Sequence, residues 1–140
     1  MSKDWVYDIH HMHSHFGHHE AIDKMDDRMM KKFLKFRIDF LQEELDEMKD
    51  AGNPEDVVDA LIDLVVVAIG TLDAFSVNPY EAWDKVLTAN MSKKAGYNPS
   101  RPNELGLPDL IKPEGWQAPS HEGNHGTLKM IDFFPRPCEV

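Results

Sequence analysis

Two stretches of the chain place carboxylates where carboxylates are costly. Residues 40–48 read FLQEELDEM and carry Glu43, Glu44 and Glu47. Residues 56–70 read DVVDALIDLVVVAIG and carry Asp56, Asp59 and Asp63. Asp63 is preceded by Leu61 and Ile62 and followed by an apolar run from Leu64 to Ile69. A helix apolar on nearly all sides is expected to be buried. A carboxylate inside it must be paired, neutralised or bound to a metal. Two acidic faces on neighbouring helices point to a divalent-cation site, and so to a phosphate-bearing substrate. Oxygen-only ligands favour a hard ion such as Mg²⁺, with Mn²⁺ as a substitute.

Plainer readings compete with this one. EELDE by itself is usually a solvated helix face. Asp56 by itself is a first-turn acid that stabilises its helix. Asp63 could pair with Lys or Arg inside the fold. A helical interaction protein with acids only on its surface would tolerate Glu43, Glu44 and Glu47, but Asp63 argues against it. The histidines give another class of reading. Six of the eight lie in HHMHSHFGHH, residues 10–19. His11, His13 and His15 alternate, and His18 and His19 follow. Such a segment can bind Zn²⁺, Ni²⁺ or Cu²⁺, which would make the protein a non-enzymatic His-rich metal-binding module. The bland version is a polar, partly ordered lead segment, and no second Cys/His set completes a zinc site.

The elements that must position these residues are mostly helices. Residues 22–49 lack Gly and Pro and are rich in Met, Leu, Phe, Lys and Glu, a good helix composition. Asp26 or Asp27 suits its start, and Ala51-Gly52-Asn53 its stop. Asn53-Pro54-Glu55-Asp56 is a strong helix start: a cap, a proline at the first position, then acids at the positive end of the dipole. Asn78-Pro79-Tyr80-Glu81 repeats the signal. The expected helices span about 22–50, 54–76 and 79–94. Residues 1–19 read as irregular, and residues 96–140 as an irregular tail dense in Pro and Gly. At about 100° per residue, Glu43 and Glu47 share a stripe bordered by Glu44, and Asp56, Asp59 and Asp63 fall within about 60° of one another. Gly70 continues the second stripe and leaves room for something to approach. The short connection between the two helices favours antiparallel packing, which could aim both acidic faces at one volume.

The bulk composition sets limits. With 140 residues, the chain is one domain by size, covering 1–140. Hydrophobic content of 41% and charged content of 29% describe a globular chain. The net charge of −10 and the lack of a basic patch disfavour nucleic acid and anionic membranes as partners. That charge also repels an anionic substrate unless cations intervene. The single cysteine, Cys138, offers no disulfide framework. No apolar leader is visible near the start, and the apolar run from Leu61 to Leu72 is too short to span a bilayer. A cytoplasmic location is the expectation.

The pattern resembles the all-α nucleoside triphosphate pyrophosphatases, which include MazG-type enzymes, dimeric dUTPases and phosphoribosyl-ATP pyrophosphatases. Phe36-x-x-Asp39-Phe40-Leu41-x-Glu43-Glu44 resembles the helix leading into that group's EExxE motif. DALIDLVVVAIGT is similar to a segment of its phosphoribosyl-ATP-pyrophosphatase-like branch. Asn90-Met91-Ser92-Lys93, then Lys112-Pro113-Glu114-Gly115-Trp116 and Pro119, resemble the ending of the same branch. His15-Phe16-Gly17 is compatible with its lead segment.

This resemblance implies an all-α bundle that assembles as a homodimer or homotetramer. It also implies hydrolysis of the α–β bond of a nucleotide to a monophosphate and pyrophosphate, with two or three Mg²⁺ ions. Glu43, Glu44 and Glu47 match EExxE. The group's second motif, ExxD, is altered: aligning its Asp with Asp63 puts Ala60 where Glu belongs. Asp59, one turn before Asp63, then takes that place; the other option is Asp56-x-x-Asp59. The expected metal ligands are Glu43, Glu44, Glu47, Asp59 and Asp63. Glu43 or Glu44 could accept a proton from water, and Lys93 or Lys94 could stabilise charge on the outer phosphates. Asn90, Lys93 and Lys94 are the expected phosphate contacts. Trp5, Tyr7, Phe16 or Trp116 could stack on a base, although each is more often a packing anchor. The expected substrate is a (deoxy)nucleoside triphosphate, a purine such as dGTP or GTP first, with phosphoribosyl-ATP as the alternative.

Overall fold

The computed structural model describes residues 2–101 and 103–133. Cys138 lies outside the described residues. The described residues divide into two compact units, 2–79 with 125–133, and 80–101 with 103–124.

The first unit is helical. Helix α1 (Trp5–His15) starts at Asp4, whose carboxylate accepts the Tyr7 amide at 2.9 Å. The chain turns at Gly17 into α2 (His18–Asp23). Helix α3 (Asp27–Asp50) is capped by Asp26, which accepts the Met29 amide at 2.8 Å. Helix α4 (Pro54–Ala74) starts as the Asn-Pro signal predicts: Asn53 accepts the Asp56 amide at 2.9 Å, with Pro54 at the first position. The expectation that residues 1–19 are irregular is thus corrected. Isolated helices this short are marginal in water. Burial of Ile9 and His13 as α1 packs on α4 supplies what local propensity does not.

The short link Ala51–Asn53 folds α4 back along α3. Pairings along the two helices run in opposite senses. Phe33 meets Phe75 with ring centroids 5.6 Å apart. One turn further along α3, the Arg37 guanidinium donates to Thr71 Oγ1 and to the Val67 carbonyl, each at 2.9 Å. Gly70 makes room for this approach: a Cβ there would lie 2.7 Å from Arg37 Nη2 and 3.1 Å from the His13 ring.

Helix α4 ends in a Schellman motif. The Ser76 amide donates to Asp73 and the Val77 amide to Leu72, each at 3.0 Å, with Ser76 left-handed at φ 58°. The last described stretch returns to this end. Thr127 donates its amide to the Phe75 carbonyl at 2.7 Å and lies in a 3₁₀ turn spanning Gly126–Met130. Phe75, Val77, Met30 and Ile131 form the buried core beneath it. Only glycine fits at 126, where φ is +53° and a Cβ would come within 1.9 Å of the Phe75 oxygen. On the other side of α4, Val58, Leu61 and Ile62 are exposed in the single chain, so that helix is less buried than its composition predicts.

The second unit holds most of α5 (Pro79–Met91) and an antiparallel pair, β1 (Lys94–Gly96) with β2 (Asp109–Ile111). Lys94 pairs with Ile111 and Gly96 with Asp109. The expectation of an irregular tail over 96–140 is therefore corrected in part: among the described residues it contributes strand β2 and the 3₁₀ turn. Strands this short carry no readable two-residue alternation. No single helix among the described residues is long and apolar enough to cross a membrane.

Candidate functional site

Helices α3 and α4 face each other across an acidic cleft of about 650 Å³. Seven of its nine lining residues are acids, Glu43, Glu47, Asp56 and Asp59 among them. Glu44 lies behind this surface and is only 7% exposed. Its Oε2 is buried with no hydrogen-bond partner. Burial pushes the Glu44 carboxyl above the ordinary carboxylate range, and the charges of Glu47, Asp63, Glu43 and Asp59 push it further the same way. Glu44 is thus the point at which five carboxylates from two helices feel one another. Asp56 stands apart from that set: Asn53 accepts its amide and donates to its carboxylate Oδ2 at 2.9 Å.

An orphaned buried oxygen surrounded by like charges is unfavourable unless a cation joins them. Glu43, Glu44, Glu47, Asp59 and Asp63 offer oxygen donors only, the chemistry of Mg²⁺ or Mn²⁺ sites, although among the described residues the donor atoms that lie within 4.8 Å of one another are those of His10, His19 and Asp73. By donor chemistry the acids fit a hard divalent ion, and the unpartnered Glu44 oxygen is where one would act.

The phosphate candidates of the sequence lie in the second unit. Asn90 is in the last turn of α5, and its carbonyl accepts the Lys93 amide at 3.1 Å. Lys94 opens β1 and is exposed. Trp116 fastens its turn to α5, its indole N–H donating to the Ala89 carbonyl at 2.9 Å and to Ser92 Oγ at 3.0 Å. Lys93 and Lys112 both approach the Trp116 ring, with Nζ 5.0 and 5.2 Å from its centroid. Trp116 acts here as a packing anchor. Trp5, Tyr7 and Phe16 are exposed in the first unit.

Sequence reasoning missed Asp73, in the last turn of α4. Three histidines converge on its carboxylate: His10 Nδ1 at 2.6 Å, His13 Nδ1 at 2.7 Å and His19 Nε2 at 2.8 Å. Burial alone would raise the Asp73 carboxyl, but the hydrogen bonds from His10, His19 and His13 outweigh it, and the net shift is downward. Burial lowers His13, against the opposing pull of Asp73. A signal for Asp73 does exist. An acid in the last turn of a helix opposes the dipole and calls for a cationic or donor partner, and the lead segment holds histidines with no assigned role.

A family model described as phosphoribosyl-ATP pyrophosphohydrolase matches residues 10–90, more than half of the chain. The match includes every candidate acid and Asn90, and stops short of Lys93 and Lys94. No curated protein and no solved structure gives a significant match.

Proposed function

We propose that this chain, which belongs to the phosphoribosyl-ATP pyrophosphohydrolase family of MazG-like all-α pyrophosphatases, hydrolyses the α–β anhydride of a nucleotide to a monophosphate and pyrophosphate. The observation that carries the reading is the buried, unpartnered Glu44 oxygen, with four further carboxylates from α3 and α4 acting on it. Glu43, Glu44, Glu47, Asp59 and Asp63 would hold two or three Mg²⁺ ions, with Mn²⁺ able to substitute. Bound there, the cations would acidify water and screen the phosphate charges. Asp59 and Asp63 are preferred over the pair Asp56 and Asp59, because Asp56 is engaged by Asn53 and is not among the charges acting on Glu44.

The remaining work falls to the protein's own groups. Glu43 faces the cleft and is the first choice to accept the proton of the attacking water; Glu44, whose basicity is raised, is the second. Lys93 and Lys94, with Asn90, would neutralise and orient the outer phosphates. A free (deoxy)nucleoside triphosphate, with a purine tried first, is the first expectation for substrate. The family match favours phosphoribosyl-ATP as the second reading, and both present the same α–β bond. Self-association is part of the proposal: Val58, Leu61 and Ile62 leave α4 an exposed apolar strip that a homodimer or homotetramer would cover. Sedimentation that gives a stable monomer at micromolar concentration would remove that part.

The decisive experiment is a panel of nucleotides, phosphoribosyl-ATP included, with Mg²⁺ or Mn²⁺ and separation of the products. Monophosphate with pyrophosphate is the expected pair. Diphosphate with phosphate, or no turnover of any member, would overturn the proposal.

A further inference from the structure

The histidine cluster is not absorbed by the acidic cleft. One ligand atom from each of His10, His19 and Asp73 lies within 4.8 Å of the other two. These residues come from three different helices: His10 from α1, His19 from α2 and Asp73 from α4. We propose that His10, His19 and Asp73 form a binding site for a divalent transition-metal ion, Zn²⁺ first, which clamps α1 and α2 onto the last turn of α4.

The chemistry of the donors separates this site from the cleft. Two imidazole nitrogens and one carboxylate oxygen suit zinc and its borderline neighbours, whereas magnesium prefers oxygen alone. The two metal-facing rings are close, with centroids 4.5 Å apart. Two imidazolium cations at that distance would repel each other. Two neutral imidazoles and one carboxylate can share a single cation without that repulsion. A salt bridge would need only one histidine, yet His10 and His19 both reach Asp73, at 2.6 and 2.8 Å.

Burial is graded as a metal site requires. The Asp73 side chain is 11% exposed, that of His19 29% and that of His10 60%. An ion can enter past His10, and three protein ligands leave a fourth position for water. His13, 4% exposed, lies 2.7 Å from Asp73 Oδ2, the oxygen that His19 also approaches, and from this buried position it orients the carboxylate. The position on α4 adds a further favourable term. The last turn of α4 contains no basic residue, so a cation beside Asp73 would complement the negative end of the helix. The site stands or falls independently of the pyrophosphohydrolase reading.

The test uses the full chain without an affinity tag, stripped of metal, with excess Mg²⁺ to occupy the acidic cleft. Zn²⁺ is titrated by calorimetry, and Co²⁺ by its visible absorption. We expect one Zn²⁺ per chain, a Co²⁺ spectrum of a four-coordinate ion, and a rise in thermal midpoint. His10→Gln, His19→Gln and Asp73→Asn should each weaken binding by more than the roughly 10–100-fold that loss of an outer partner causes. His11→Gln, on the same helix outside the set, should bind as the wild type does. His10→Gln alters an exposed side chain, so its helicity by circular dichroism should match the wild type and its result reports on the ligand. Absence of stoichiometric binding would overturn the proposal. So would unchanged affinity in all three ligand variants, or equal loss in His11→Gln.

Discussion

Glu44→Gln should reverse its effect on stability according to whether metal is present. In metal-free protein, Glu44 carries a buried oxygen without a partner and feels four neighbouring carboxylates. An unsatisfied buried polar group of this kind destabilises by about 1–3 kcal/mol. Glutamine removes the charge and supplies an N–H that can donate to the surrounding acids. Metal-free Glu44→Gln should therefore be more stable than the wild type by about 1–3 kcal/mol at neutral pH. At about 2–4 °C per kcal/mol for a chain of this size, the thermal midpoint should rise by several degrees.

The pH dependence has a definite sign. The folded carboxyl of Glu44 sits above its unfolded value, so the native state binds its proton more tightly. The contribution of Glu44 is therefore favourable below the ordinary carboxylate pKa, and it is lost as pH rises through the raised folded value. The variant should gain least near the ordinary carboxylate pKa and most at neutral pH. Magnesium inverts the order. An ion at about a hundred times its dissociation constant stabilises the state it binds by about 2.7 kcal/mol. The wild type should collect that and the variant should not. The assay is thermal unfolding by circular dichroism at fixed protein concentration, with chelator or with saturating Mg²⁺, at two pH values. Equal Mg²⁺ stabilisation of both proteins, or a variant no more stable than the wild type in chelator at neutral pH, would refute the reasoning.

Asp63→Asn should lose most Mg²⁺-dependent pyrophosphate release with helicity intact; full activity would shift the second motif to Asp56 and Asp59. The double variant His10→Gln with His19→Gln should keep turnover within about tenfold, roughly 1.4 kcal/mol of barrier, when pyrophosphate release is followed at saturating Mg²⁺. Near-complete loss there would move the chemistry toward the lead helices. Gly126→Ala should lower the urea midpoint, with a loss of at least about 2 kcal/mol, because overpacking costs about 1–3 kcal/mol and a left-handed alanine about 1–2 more; an unchanged midpoint would mean that the contact with the Phe75 carbonyl is not tight in solution.

What is legible in the sequence is whatever local chemistry dictates. Asn53-Pro54 marks the start of α4 because cap and proline act within one turn, and Asp26 or Asp27 marks that of α3 to within a residue, through an acidic cap alone. The opposition of EELDE to Asp59 and Asp63 follows from helical period and a short link, which together leave few ways to arrange two helices. Which acid is buried does not follow. That depends on the rotation of α3 about its axis, set by Phe33 on Phe75 and by Arg37 on the α4 backbone, so Glu44 and not Asp63 becomes the costly carboxylate. The lead segment defeats a composition-based reading because histidine is an indifferent helix former and masks a usable pattern. Asp4 is a good cap, and Trp5, Ile9, Met12 and Phe16 recur at helical spacing. The Asp73 cluster depends on contacts 54–63 residues apart in the chain, beyond any local rule. Yet its parts are individually unsatisfied in the sequence: an acid at the wrong end of a helix dipole, and histidines with no role. Each of these groups needs what the other offers, a donor for the acid and an acceptor for the rings. Matching such complementary deficits across the chain brings Asp73 and the histidines together on chemistry alone.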